Sequence, residues 1–265
     1  MPSHPFDHLG QWWALQRDPS QAPTLWVLLS MLVGIVAAQA GWWVETSPRP
    51  TAGRARRRLA SPTGRWLGWW LRMAWLVGPG YAALLSGVAS PRRMGLSQID
   101  WGASFGYGLA LAGLALGVLL LAGITVRRSG PADGAWSTPS AAVVGSLLLA
   151  IEAGALQFQW AFYRDAAIQA AEAWGVAAPT PAGTWIGVGL VGLQAALNPA
   201  LRRDLRSPTD GAVRMLRLSL LLVTAVLYLL SRNFWLGWAL HAAAAILLEP
   251  RLLTLANEKG SRPAT

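Results

Sequence analysis

The chain is cut into apolar runs of about 17 to 25 residues by short stretches crowded with arginine, proline and glycine. Wound as α-helix at about 1.5 Å per residue, such a run crosses the roughly 30 Å of bilayer hydrocarbon. A soluble domain would carry about a quarter charged residues. This chain of 265 residues carries 13%, with 54% hydrophobic. The pattern predicts an all-α, polytopic transmembrane helical bundle, because in lipid every backbone polar group must be satisfied within its own helix or a closed barrel.

The same arithmetic excludes several chemistries. There is no cysteine, so disulfides, thiolate metal sites, cysteine nucleophiles and iron–sulfur ligation are all ruled out. Of the 22 basic residues 21 are arginine, and they lie mostly between the apolar runs. The net charge of +10 therefore reads as a topological signal and not as a nucleic-acid footprint.

Seven spans are predicted, near 23–44, 66–89, 102–126, 141–163, 185–200, 213–230 and 234–249. They form one bundle domain over 23–250, preceded by a polar outer leader (1–22) and followed by a cytoplasmic tail (251–265). Ala38-Gln39-Ala40 has the form of a signal-peptidase site, but no basic segment precedes that run, so it reads as a retained span. Residues 47–65 read as a basic loop. Gly78-Pro79-Gly80 predicts a kink or break in the second span. The evenly spaced glycines of the third span, among them Gly106, Gly113 and Gly117, predict a helix packed inside the bundle. The fourth span is expected to continue as an interfacial helix over 165–174, and Ser231-Arg232-Asn233 to form a tight turn between the last two spans. Alternate connections carry 16 basic residues on one side against 5 on the other. That bias predicts an outer N-terminus, a cytoplasmic C-terminus and a multi-pass protein of the inner (plasma) membrane.

Polar side chains inside spans are the functional candidates, because hydrocarbon makes them costly. Glu152 lies mid-way along the fourth span, with Gln159 two turns later on the same face. Gln194 lies mid-way in the fifth span and His241 mid-way in the seventh, at a similar depth. One reading is a shared pocket in which Glu152 acts as general base on a water and His241 orients it or stabilises an oxyanion. The other is a hydrogen-bonded cluster that pins helices together. One intramembrane histidine and one glutamate fall short of the three protein ligands of a catalytic zinc, so no metal is expected. Arg164, after Trp160-Ala161-Phe162-Tyr163, reads as an interfacial anchor paired with Asp165 or as part of the site. No nucleotide, flavin, haem or Schiff-base motif is present, so no cofactor is expected.

The segment 227–249, LYLLSRNFWLGWALHAAAAILLE, resembles the last motif of the CAAX-protease and bacteriocin-processing (CPBP, or Abi) intramembrane protease family, with Asn233-Phe234-Trp235 and His241 matching and Ala245 at the family's asparagine. The family's Glu-Glu-x-x-x-Arg motif would fall on Gln159-Trp160 through Arg164, and its Phe-x-x-x-His motif on Leu190 through Gln194. The resemblance covers about 141–250. It implies a membrane endopeptidase bundle in which glutamate activates a water, with Gln159, Gln194 and Asn233 lining the cavity. The departures remove both glutamates, one histidine and the asparagine. The expectation is thus a non-catalytic accessory or scaffold subunit whose partners are membrane lipids, other membrane subunits or a transmembrane peptide, with no nucleic acid. The alternatives are an active endopeptidase using Glu152, Arg164 and His241, and a transporter.

Overall fold

The computed structural model describes residues 22–128 and 139–260, and every regular element among them is helical. In chain order these are α1 (Ala22–Thr46), α2 (Pro50–Ala60), α3 (Pro62–Leu85), α4 (Pro91–Met94), α5 (Trp101–Ala103), a π-helical turn (Ser104–Gly108) and α6 (Leu109–Arg128). They are followed by α7 (Pro139–Ala173), α8 (Pro179–Ala196), α9 (Pro199–Asp204), α10 (Pro208–Ser231) and α11 (Phe234–Gly260). Four stretches are long and apolar enough to cross a membrane: Ala22–Thr46, Ser104–Ala122, Val143–Ala173 and Gly211–Ser231. Phe234–Glu249 is a shorter apolar helix. This is a helical membrane protein. Residues 1–21 of the expected leader and 261–265 of the expected tail lie outside the described residues, while residues 251–260 continue α11.

The chain folds as two compact units. The first comprises the residues up to Met94 together with Gln159–Gln194, and the second Gly95–Phe158 with the residues from Ala195 onward. The segment resembling CPBP proteases contributes to both, and α7 gives its residues before Gln159 to the second unit and the rest to the first.

In the first unit, the basic stretch expected as a loop contains a helix. α2 starts at a proline, which suits the first helical position, and continues through alanine and arginine, both good helix formers. Its apolar side is short, formed by Ala52, Ala55 and Leu59 with Ala52 buried, and the arginine, proline and glycine around it read as loop composition. Ser61 ends α2 and starts α3: its Oγ accepts from Gly64 N at 3.1 Å. Of the kink or break expected at Gly78-Pro79-Gly80 the break is absent: Pro79 lies inside a continuous α3, with Gly80 buried. The largest fully buried side chains here are Phe162, Tyr163, Leu76, Met94 and Ile168. Ala161–Ile168 are buried throughout, and the fourth span continues as helix beyond Tyr163, to Ala173.

The glycines that bring helices together are not those the third span suggested. A Cβ on Gly183 would run into the backbone of Ile168, and one on Gly187 would lie 2.9 Å from Arg164 Cα. α8 therefore meets α7 backbone to backbone at two positions one turn apart, the small-xxx-small contact of membrane helices. In the second unit a Cβ on Gly106, Gly113 or Gly117 meets nothing within 4 Å. Of the third span's glycines it is Gly108 that is tightly held, with a Cβ there 2.5 Å from Leu236. α6 instead exposes Leu114, Val118 and Leu121, so the expectation of an interior third span is corrected.

The core of the second unit is built from Ala112, Leu216, Leu220, Leu227, Leu240, Ala244 and Leu248, contributed by α6, α10 and α11. The tight turn expected at 231–233 is present. Arg232 has φ 51°, Ser231 Oγ accepts from Asn233 N at 3.3 Å, and Asn233 Oδ1 accepts from Leu236 N at 3.2 Å as the N-cap of α11.

The glycine contrast yields a stability test. Gly183→Ala should destabilise by about 1–3 kcal/mol through overpacking against backbone, whereas Gly113→Ala, in open space on a helix, should be neutral or stabilising by up to about 1 kcal/mol. Thermal unfolding midpoints in one detergent will rank the two.

Candidate functional site

The hairpin of α10 and α11 places polar residues in register. Arg217 and Glu249 each stand about four helical turns from the Arg232-Asn233 turn, and Thr224 and His241 each about two. Two polar layers result, and α7 completes both.

The first layer is an ion triad. Arg217 Nε and Nη2 donate to the two oxygens of Glu249 at 2.7 and 2.8 Å, and Arg217 Nη1 donates to Glu152 Oε1 at 2.9 Å. The Glu249 side chain is 2% exposed, against 14% for Glu152 and 18% for Arg217. Guanidinium is the cation suited to this arrangement, because its planar fork serves one carboxylate bidentately and leaves a further N–H for the second.

The second layer is neutral. Gln157 Nε2 lies 3.2 Å from Thr224 Oγ1 and 3.1 Å from His241 Nδ1, and Thr224 Oγ1 donates to Leu220 O at 2.7 Å. An amide nitrogen has two hydrogens, one for each neighbour. His241 then accepts at Nδ1 and carries its ring proton on Nε2. Trp238 Nε1 donates to Ala150 O at 3.0 Å and fixes α11 to α7 beside this layer.

The first unit holds its own network on the remaining part of α7. Asp165 is fully buried and accepts from Ser90 N at 2.9 Å, Arg93 Nε at 2.8 Å and Gln169 Nε2 at 3.1 Å. Gln169 Nε2 also donates to Val88 O at 3.0 Å. These bonds clip the segment after α3 onto α7. The partner of Asp165 is thus Arg93, not the neighbouring Arg164; residues adjacent on a helix point in different directions. Arg164 Nη2 faces Met94 O at 3.5 Å.

Nearer the start of that part of α7, the Tyr163 hydroxyl lies 3.1 Å from Ser30 Oγ and is flanked by the side chains of Gln159 and Gln194. Trp75 Nε1 donates to Ser30 O at 3.1 Å. A Cβ on Gly34 would clash with the Trp75 ring and come within 2.5 Å of Gln194 Nε2, so only glycine lets α1 approach here. The amide nitrogens Nε2 of Gln159 and Gln194 are both buried; their side chains lie within reach of the Tyr163 hydroxyl, but neither nitrogen makes a well-aligned hydrogen bond. Native proteins rarely leave buried donors unused, and each costs about 1–3 kcal/mol.

The six expected site residues thus divide by unit. Gln159, Arg164 and Gln194 belong to the first, and Glu152, Asn233 and His241 to the second, where Asn233 caps α11 and its Nδ2 is buried without a partner. Glu152 is joined to Arg217, and His241 to Gln157. Arg217, Glu249, Gln157, Thr224 and Tyr163 were not singled out by sequence reasoning, and Asp165 only as a partner for Arg164. The available signals were the seven-residue step from Arg217 to Thr224 and the eight-residue step from His241 to Glu249, each returning to one helix face. Among the described residues no group of three His, Asp or Glu side chains is placed to hold a metal ion.

No family model matches the chain, and neither a curated protein nor a solved structure matches it significantly.

The triad makes a specific demand on charge. Arg217→Met leaves Glu152 and Glu249 without their counter-ion and should destabilise by about 3–5 kcal/mol. Adding Glu152→Gln and Glu249→Gln to that variant should recover most of the loss, while Arg217→Lys should recover only part, because an ammonium lacks the fork. Denaturant unfolding in detergent, compared across the three variants, is the measurement.

Proposed function

We propose that the protein is a non-catalytic accessory or scaffold subunit of the membrane, built on a bundle like that of the CPBP intramembrane proteases, which binds a lipid or a transmembrane segment in place of cleaving it. In this reading the chain crosses the inner (plasma) membrane seven times, N-terminus outside and C-terminus in the cytoplasm. α3 and α8 serve as spans beside the four longest apolar stretches and the shorter α11.

The observation that carries it is the pair of buried amide nitrogens of Gln159 and Gln194 beside Tyr163. They occupy positions where the family resemblance would put a glutamate and a histidine. An amide takes no proton from water, but it donates hydrogen bonds, and an unused buried donor is an invitation to a carbonyl or other acceptor oxygen. A water-activating carboxylate must offer its lone pairs to water. Glu152 instead gives an oxygen to Arg217, which suits a structural role better than that of a base.

Two experiments test the reading. Protein purified in mild detergent should carry a stoichiometric membrane partner or lipid, and Gln159→Leu with Gln194→Leu should weaken that association by about 10-fold or more while the protein stays folded, since each lost hydrogen bond is worth about 1 kcal/mol. Incubation with transmembrane peptides should give no cleavage. Cleavage abolished by Glu152→Gln and by His241→Ala would replace this function with that of an active endopeptidase.

A further inference from the structure

Between α1 and α3, several arginines of the basic stretch are gathered around one hollow. Ser47, Arg49, Gly53, Arg54, Arg56 and Arg57 line an open cavity of about 540 Å³. Arg56 holds its wall in place: Nη2 donates to Val44 O at 3.2 Å and to Ser47 O at 3.1 Å, satisfying carbonyls at the end of α1. Arg49 lies over the Trp43 ring at 5.9 Å. Arg49, Arg54 and Arg57 are exposed, and residues 45–58 carry five arginines against one glutamate.

The depth of the hollow is marked by tryptophan. Trp42 and Trp43 lie in the last turns of α1, a helix able to cross the membrane, and Trp66, Trp69 and Trp70 stack edge to face near the start of α3, with centroids 5.9 and 4.9 Å apart. Tryptophan concentrates at the headgroup level of bilayers. α2, which lines the hollow, also exposes Leu59, and α3 exposes Leu67 and Leu71, so the helices carrying the arginines and following them present apolar surface as well. A guanidinium cluster at headgroup depth, with apolar surface on the same helices, fits one ligand well: a phosphodiester whose attached chains continue into hydrocarbon.

We infer that this hollow binds the phosphate of an anionic glycerophospholipid of the phosphatidylglycerol type. Arg49, Arg54 and Arg57 donate to the phosphate oxygens, and Arg56 holds the shape of the site. The guanidinium fork matches phosphate bidentately. A free phosphate shares this chemistry but has no use for the apolar surface.

Full-length protein in detergent, titrated with short-chain phosphatidylglycerol and read by native mass spectrometry, tests the assignment. One lipid should bind saturably, and Arg49→Ala/Arg54→Ala/Arg57→Ala should weaken it on the order of 100-fold. Arg54→Glu alone should also weaken it, which guards against a triple variant that fails to fold. The equally basic triple Arg202→Ala/Arg203→Ala/Arg206→Ala should leave affinity unchanged, and phosphatidylcholine should bind far less. Equal losses in both triple variants, equal binding of phosphatidylcholine, or displacement of the lipid by millimolar inorganic phosphate would each overturn the lipid site. The last result would reassign the hollow to soluble anions. None of these outcomes depends on the Gln159 and Gln194 pocket, so this inference stands or falls apart from the proposed function.

Discussion

A guanidinium carried into apolar helices must bring its counter-charges with it, and the second unit is arranged around that requirement. Arg217 sits among residues such as Leu216 and Leu220 that form the apolar core, and it answers to carboxylates from two other helices. The attraction between these charges has to outweigh their loss of hydration, which it does only when the geometry is close and the remaining polar atoms are engaged. The fixed register of α10, α11 and the first part of α7 follows. A one-residue slip of α11 would swing Glu249 about 100° around its axis and strand the arginine. The neutral layer of Gln157, Thr224 and His241 repeats the same logic without charge.

The first unit solves a related problem by different means. Its buried Asp165 is held by a backbone amide, a guanidinium and a carboxamide, and it secures an irregular connection instead of a helix pair. Close approach of α7 and α8 at Gly183 and Gly187 does the helix-to-helix work there. Both units thus rely on side chains that water would solvate well, used where water is scarce. Among the buried donors outside these networks are the amide nitrogens of Gln159 and Gln194, which stand together near Tyr163, and Asn233 Nδ2 at the start of α11.

Much of this was legible in the sequence, and the misses have physical reasons. The long apolar runs announced helices, and Asn233 and Ser231 announced the turn, because these depend on local composition. Glu152 and His241 stood out because charge and imidazole are rare in such runs. Arg217 did not stand out, since an arginine near the end of a span looks like any other charge at the membrane boundary until the partner helix is known. Glu249 was hidden at the far end of its span for the same reason. The glycines of α6 and α8 have similar spacing, and only the neighbour decides which set is needed. α2 was missed because its apolar side is only Ala52, Ala55 and Leu59, too short to stand out among arginines, proline and glycine.

The symmetry of the last hairpin also bears on how the protein reaches its membrane. Because only Arg232 and Asn233 separate α10 from α11, Arg217 and Glu249 come opposite each other as soon as the second strand of the hairpin has been synthesised past residue 249. Each helix alone would carry an uncompensated charge into lipid, at a cost of several kilocalories per mole on an isolated segment. Brought together as a hairpin, the two helices present a neutralised ion pair, which costs less to move into an apolar setting than either charge alone.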